Sequence, residues 1–515
     1  MTSPSQKALN ALADYSSDAV APNSMDIRTE YLEPITSNPL KYTFRLDQAG
    51  YLDTNSLVVF KLQAVGNNNS FRVNCFNGVL GGIKRAIFQV GDHIINDIQD
   101  LNKYATIKQM LVGNRSLSNQ YTGHYTGSQL WTRTQKTGTE ATLEHATLNE
   151  TYANLQRGMV GSIVKDDDRS GIQFGKYDDG TNAHINSQPI STDKANNNQY
   201  GVTFGTLFPA LQGQKIPLFL FDKQSILITI EFHGASHYVN SLVAGKVAYD
   251  ASNCAQADDS DILIEDCRMV VDYIIMPTEA QNKIIAQTQQ QGGYKLNFYD
   301  VVNVEKNIPS VTGTAAGVQQ EVEHRIGQNN REVHNIYMWK SPPDTALNNA
   351  GSDNAGNNQV ARALRLNQFC KGYNEEEYNC EVNGRDEHDH FVFNPCSQYN
   401  ELAEALGSEP NLDRPEYIAD ENTTGSLLCP VETGLMGTMK PLAISLTNGE
   451  PGVIGAGRQI GSYPIVWKWR RKCNNNIVGN SYRNDETIKC NYFIECSRTA
   501  SIMNTPKGMN VIVSY

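Results

Sequence analysis

Four stretches of this chain hold residue types that could do chemistry. Residues 385–390 read RDEHDH. In an extended backbone Asp386, His388 and His390 share one face, and two imidazoles with a carboxylate suit a divalent metal. No further committed ligand is visible, and a polar turn or interface is the competing reading. At 166–171, DDDRSG places Asp166, Asp168, Ser170 and Gly171 like the first half of a calcium loop. The twelfth position, where such loops need a bidentate Glu, is Tyr177, so a solvated acidic loop is expected. GAGRQIG at 455–461 has glycines spaced like a dinucleotide loop. That fingerprint needs a helix after it; here SYPIVWKW follows, a strand pattern. KWRRK at 468–472 interleaves Trp469 with basic residues. Base stacking plus phosphate contact needs that mixture, but so does a strand end that buries its Trp while the charged heads reach water. G-x-S-x-G, H-E-x-x-H and G-K-[ST] are absent. No catalytic, cofactor-binding or metal residue is assigned, no cofactor is expected, and the chain reads as a non-enzyme.

Composition narrows the partners. The chain has 515 residues, a formal net charge of −12, 39% hydrophobic and 19% charged residues. That is globular and long enough for two large all-β domains. Affinity for nucleic acid comes mainly from neutralised phosphates, so no specific nucleic-acid binding is expected of so acidic a body. The first residues, MTSPSQKALNALADYSS, lack a basic stretch followed by an apolar one. The longest apolar runs are short, such as IPLFLF at 216–221, well below the ~20 residues of a membrane span. Synthesis in the cytosol without secretion is therefore expected. The ten cysteines include no C-x-x-C pair and read as reduced core thiols. Cys490 and Cys496 fall on one side of an alternating stretch, about 20 Å apart if extended, too far to bond. Sequons at Asn68, Asn114, Asn149 and Asn422 are read as chance matches.

The elements that must position these residues are strands. Tyr42, Phe44 and Leu46 alternate with polar neighbours, and SLVVFKLQAV (56–65), RAIFQV (85–90), SILITIEF (225–232) and CRMVVDYIIM (267–276) read likewise. Asn-Gly pairs at 77–78, 383–384 and 448–449 signal turns. Long polar stretches at 113–210 and 340–365 read as loops. Residues 278–291 read as a helix, with Thr278 and Gln281 spaced as a capping box and Gly292 as its stop. Strand signals restart at Tyr294. The expected organisation is an N-terminal arm (1–27), a first all-β unit (28–277), a helical linker (278–293) and a second all-β unit (294–515).

Three markers suggest that the second unit repeats the first. Tyr42, Phe44, Leu46 matches Tyr294, Leu296, Phe298. A short helix with Tyr104, Ile107, Met110 and Leu111, stopping near Gly113, matches one with Tyr399, Leu402, Ala405 and Leu406, started by Asn394-Pro395 and stopped by Gly407. Val270, Val271, Asp272, Tyr273 matches Ile512, Val513, Ser514, Tyr515. Many strands, long loops and one short helix per unit suit a jelly roll. The fold expected is all-β: two jelly-roll sandwiches in one chain with a few short helices.

Three stretches resemble the double jelly-roll major capsid proteins of tailless icosahedral double-stranded DNA viruses, the group of polinton-like viruses, virophages and nucleocytoplasmic large DNA viruses. They are KYTFRLDQAGYLDTNSLVVFKL (41–62), TLFPALQGQKIPLFLFDKQSILITIEF (206–232) and CEVNGRDEHDHFVFNPCSQYNELAEAL (380–406). The resemblance implies a structural protein of the virion. It implies homotrimers, pseudo-hexagonal in outline, that tile a shell and meet neighbouring capsomers, a penton and minor capsid proteins. It leaves contact with an internal membrane open. It also implies that 113–210 lies outside the shell and 1–27 inside. The alternatives are a non-virion scaffold of the same fold, and a carbohydrate-binding or carbohydrate-active jelly-roll protein. The latter would need facing carboxylates in a cleft.

Overall fold

Period-two alternation becomes a strand where one face can be buried. Tyr42, Phe44 and Leu46 are buried in the strand Lys41–Leu46, while Lys41, Thr43 and Arg45 between them are exposed or half-buried. The computed structural model describes residues 26–65, 70–73, 78–109, 134–135, 199–211, 215–221, 224–242, 254–290, 293–309, 319–341, 370, 376–407, 426–427, 441–447, 457–472, 487–505 and 508–514. The acidic loop at 166–171, the sequons and most of 1–27 and 113–210 lie outside the described residues, so the expected placement of those two segments does too.

The N-terminal sandwich is carried by β1 (Asp26–Leu32), β2 (Lys41–Leu46), β3 (Leu57–Ala64), β4 (Ile83–Val90), β5 (His93–Gln99), β6 (Gln199–Thr203), β7 (Ile226–Phe232) and β8 (Ile262–Ile275). Helix α1 (Leu101–Gln109) follows β5. The strands form two antiparallel sheets, β1-β8-β3-β6 and β2-β7-β4-β5. The chain changes sheet at each step except between β4 and β5, which pair as a hairpin, the pattern of two interleaved Greek keys. Helix α2 (Thr278–Gln290) then leads to the C-terminal sandwich.

That sandwich is carried by β9 (Tyr294–Ile308), β10 (Gln319–Gly327), β11 (Glu332–Ser341), β12 (Glu377–Val382), β13 (Arg385–Asp386), β14 (Leu442–Ser445), β15 (Ile465–Lys472) and β16 (Ile488–Thr505). Helix α3 (Pro395–Leu406) follows β13, and β17 (Gly508–Ser514) pairs with the far end of β16. The sheets are β9-β16-β11-β14 and β10-β15-β12-β13. Each strand thus takes the place of the strand eight numbers before it, and α3 takes the place of α1.

This alignment keeps one of the three sequence markers and corrects two. The helices correspond. The Tyr42 strand, however, is β2, whereas the Tyr294 strand is β9, whose counterpart is β1. Val270–Tyr273 lies in β8, whereas Ile512–Ser514 lies in β17, an added strand. Alternation reports which residues share a face; it does not report a strand's place in the sheet.

Local signals worked where the chemistry is backbone chemistry. Asn383 and Gly384 both take positive φ, 53° and 77°, and turn β12 into β13 as a two-residue hairpin. The Asn394 side chain accepts from the Ser397 N–H at 2.7 Å, Pro395 opens α3, and Gly407 closes it in the left-handed region. The capping box of α2 does not form. The Gln281 side chain instead donates to the Met276 carbonyl at 3.0 Å, and its N–H donates to Pro277 at 3.1 Å.

Gly50 marks the tightest backbone approach. Its φ is 59°, and a Cβ there would sit 2.2 Å from the Ile274 carbonyl oxygen. Gly50→Ala should therefore lower the denaturant midpoint of the folded chain, by at least about 1–3 kcal/mol of stability. Unchanged unfolding of that variant would contradict the described contact.

Candidate functional site

Strand β11 has no solvent face. Its residues Val333 to Ser341 are all buried. On one side Ile336 and Met338 join Cys490, Tyr492, Ile494 and Trp467 in the core of the C-terminal sandwich. On the other, Tyr337 and Trp339 join Phe493 and Ala443 in a core continuous with the N-terminal sandwich. The sheet β9-β16-β11-β14 is therefore a middle layer, covered on its outer face by the N-terminal half. The polar groups of this joint form the candidate site.

Its centre is Glu495 on β16, which is 1% exposed. One carboxylate oxygen accepts from the Tyr104 hydroxyl at 2.5 Å and from the Lys108 ammonium, both on α1. The other accepts from Asn335 Nδ2 at 2.7 Å. Lys108 also donates to the Tyr337 hydroxyl at 3.0 Å. Burial, with Glu495 beside it, pushes the Tyr104 hydroxyl well above its ordinary pKa, so it stays a proton donor. The Tyr104 ring lies 5.6 Å from Phe493 and 6.3 Å from Tyr337.

Two further groups fix the joint. Lys103 donates to Asn491 Oδ1 at 2.7 Å, and Asn491 and Asn303 both donate to the Asp100 carboxylate, at 3.2 and 2.7 Å. Arg498 pairs with Asp300 at 3.2 Å and donates to the Ile95 carbonyl of β5 at 3.2 Å. Burial holds the Asp300 carboxyl above its ordinary range, with Arg498 opposing that shift. Asn96 Nδ2 donates to the Tyr299 carbonyl at 3.2 Å. Buried charges in such a joint are satisfied only in one docking register.

Sequence reading singled out Tyr104 only as a helix marker and none of the other residues of the joint. Asn491 and Glu495 sit on the polar parity of β16 and look solvent-facing. The available signals were Phe493 between them, and consecutive large side chains Tyr337, Met338 and Trp339 on both parities of β11.

The four chemical stretches fare differently. RDEHDH is not assembled as a metal site. β13 ends at Asp386, whose carboxylate takes Lys468 at 2.6 Å, while His388 Nε2 lies 3.5 Å from Glu401 of α3. Among the described residues no three His, Cys, Asp or Glu side chains are placed to hold a metal. KWRRK lies in β15, where Trp467 and Trp469 are buried. Its charges are matched by acids: Lys468 by Glu381 at 2.9 Å and Asp386, and Arg470 by Glu377. Arg471 is 3% exposed and donates to Gln320 at 3.0 Å. Of the glycine stretch, the described part runs as strand: Arg458–Gln459 pairs with Glu332–Val333. The buried Cys267, Cys370, Cys380, Cys490 and Cys496 form no disulfide. Burial raises the pKa of Cys267 and Cys496 to about 12, so both remain thiols.

Two eight-stranded jelly rolls with the same strand order, docked through one sheet face, define a double jelly-roll protein. The chain has that fold. It superposes on PBCV-1 VP54, as fitted into a reconstruction of the virophage Sputnik, with a TM-score of 0.54 and 10% identity, over 95% of this chain and 97% of that one. The quasi-atomic model of the PBCV-1 virus capsid gives 0.51 and 9%, over 95% and 97%. The mavirus major capsid protein gives 0.47 and 9%, over 94% and 90%. No protein-family model matches the sequence, and no curated protein does.

Two outcomes test the site. Glu495→Ala strands Lys108 and the buried Tyr104 and Asn335 donors and should cost about 3–5 kcal/mol in denaturant unfolding, with Glu495→Gln costing less. At His388, the Glu401 carboxylate, which accepts from the imidazolium, raises the imidazole pKa above 6.5 against the opposing effect of burial. A raised folded pKa gives stability that is full below the unfolded value and lost as pH rises through the folded one. The midpoint lost in Glu401→Gln should therefore be larger near about pH 5.5 than near about pH 8. An equal loss at both would show that the pair does not titrate.

Proposed function

We propose that this protein is a structural capsid protein. It would assemble as a homotrimer whose six sandwiches make a pseudo-hexagonal block for an icosahedral shell. The observation that carries the reading is the match to PBCV-1 VP54 and the PBCV-1 capsid over nearly the full length of both chains. The joint supports it, because the two sandwiches are held in one fixed relation by buried charge. In this reading 28–277 and 294–515 are the two building units and 278–293 their linker. Strand β1 begins at Asp26, so the last two residues of the expected arm 1–27 already belong to the first sheet. The partners are further copies of the chain, a penton and minor capsid proteins. The protein acts in the virion after synthesis in the host cytoplasm, without catalysis.

Purified full-length chain should show three times the chain mass in light scattering at micromolar concentration, and pseudo-hexagonal particles in electron microscopy. A stable monomer there would overturn the assembly reading. Recovery of the protein from immature particles but not from mature virions would favour the scaffold alternative.

A further inference from the structure

One contact of the joint sets a nucleophile against an electrophile. Lys103 Nζ, on α1 of the N-terminal sandwich, donates to Asn491 Oδ1, on β16 of the C-terminal one, at 2.7 Å. A carbonyl bond is about 1.2 Å long, so Nζ lies at most about 3.9 Å from the Asn491 amide carbon. That is close to the ~3–3.5 Å from which a nucleophile attacks a carbonyl. The amide nitrogen is held as well. Asn491 Nδ2 donates to Asp100 Oδ2 at 3.2 Å and to Asn303 Oδ1 at 3.3 Å. The other oxygen of Asp100 lies 3.8 Å from Lys103 Nζ. One carboxylate therefore faces both the amine and the nitrogen that would leave. Asp100 is fixed there because its carbonyl accepts from the Lys103 N–H at 3.0 Å, at the start of α1. Asn491 is 0% exposed and Lys103 7%. Burial of that degree disfavours an ammonium and excludes the water that would compete for the amide.

We propose that Lys103 and Asn491 become joined by an isopeptide bond that ties the two sandwiches covalently, with Asp100 carrying the protons. The Lys103 ammonium gives a proton to Asp100, and the neutral amine attacks the Asn491 amide carbon. The Nζ–Cγ bond forms and the Cγ–Nδ2 bond breaks. Asp100 passes protons from Nζ to Nδ2, which leaves as ammonium and takes the lysine's charge with it. No oxidant, metal or second substrate is needed. Lys108 and Lys340 are placed otherwise. They meet the carboxylates of Glu495 and Glu376, and a carboxylate anion resists attack by an amine. The bond would close a loop between residues 388 apart in sequence and restrict the unfolded chain. It depends on the fold of one chain and not on the capsid reading.

Intact-mass spectrometry of the denatured full-length protein tests this directly. The wild-type chain should be lighter than its sequence by one ammonia. Trypsin should release a branched peptide joining residues 86–108 to 490–498, uncut after Lys103. Lys103→Arg and Asn491→Ala should each have the full mass of their sequences and give no branched peptide. Asp100→Asn, which keeps a polar side chain that cannot carry the proton, should remain mostly unlinked. Wild-type protein with the full mass of its sequence would overturn the proposal, whatever the variants do. Loss of ammonia without the branched peptide would overturn it too, since an asparagine that cyclises on its own backbone loses the same mass. A bond that forms undiminished in Asp100→Asn would refute the role given to Asp100.

Discussion

A sheet covered on both faces leaves no water for the polar groups of its strands. The sheet β9-β16-β11-β14 is in that position, and most of the architecture follows from it. Its strands carry His334, Asn335, Lys340, Asn491 and Glu495, all at most 5% exposed. Each needs a partner supplied by protein, because an unpaired buried polar group costs free energy. On the inner side Lys340 pairs with Glu376, which also accepts from Trp469 Nε1 at 2.7 Å. On the outer side Asn491 and Glu495 find their partners in α1 of the other sandwich. The C-terminal sandwich is thus incomplete alone. Apolar contact from Tyr104, Phe493 and Trp339 supplies the non-directional part of the attraction. The charges make one docking geometry far better than its neighbours.

How much of this was legible in the sequence depends on what each signal encodes. Alternation revealed β2, β7 and β9, because burying one face is a property of the strand itself. The Asn383-Gly384 turn and the caps of α3 were legible because they are local backbone requirements. The joint was not. Asn491 and Glu495 share a parity with solvent-facing positions, and only the N-terminal half, some 390 residues away in sequence, buries them. The metal reading of RDEHDH assumed that the strand continues through His390. It ends at Asp386, so Asp386 turns to Lys468 and His388 to Glu401. The basic run KWRRK is the strand end with a buried Trp that the sequence favoured over base stacking and phosphate contact; the acids that neutralise it, Glu377, Glu381 and Asp386, were not legible because they are distant in sequence.

The repeat was visible in outline and misaligned in detail for a related reason. What the two halves share is strand order and which sheet each strand joins. Neither constrains a particular residue, so matching short apolar patterns paired β2 with β9. The helices aligned correctly because each is fixed by its place after the fifth strand of its sandwich and by a large buried face: Tyr104 and Ile107 in α1, Leu402 and Ala405 in α3. The halves then diverged according to their surroundings. β11 carries Tyr337 and Trp339 toward the joint, while its counterpart β3 carries Leu57, Val59 and Lys61 on the matching face.

A joint held by apolar contact alone would tolerate sliding, since burial of area is nearly indifferent to small shifts. Glu495, Arg498 and Asp100 remove that freedom. Their partners lie on α1, β5 and β9, three elements whose relative positions are set by two separate cores. Shifting the sandwiches would unpair several buried groups together. Cys267, Cys370, Cys380, Cys490 and Cys496 form no disulfide, and buried charge is the means by which the fold sets the angle between its halves.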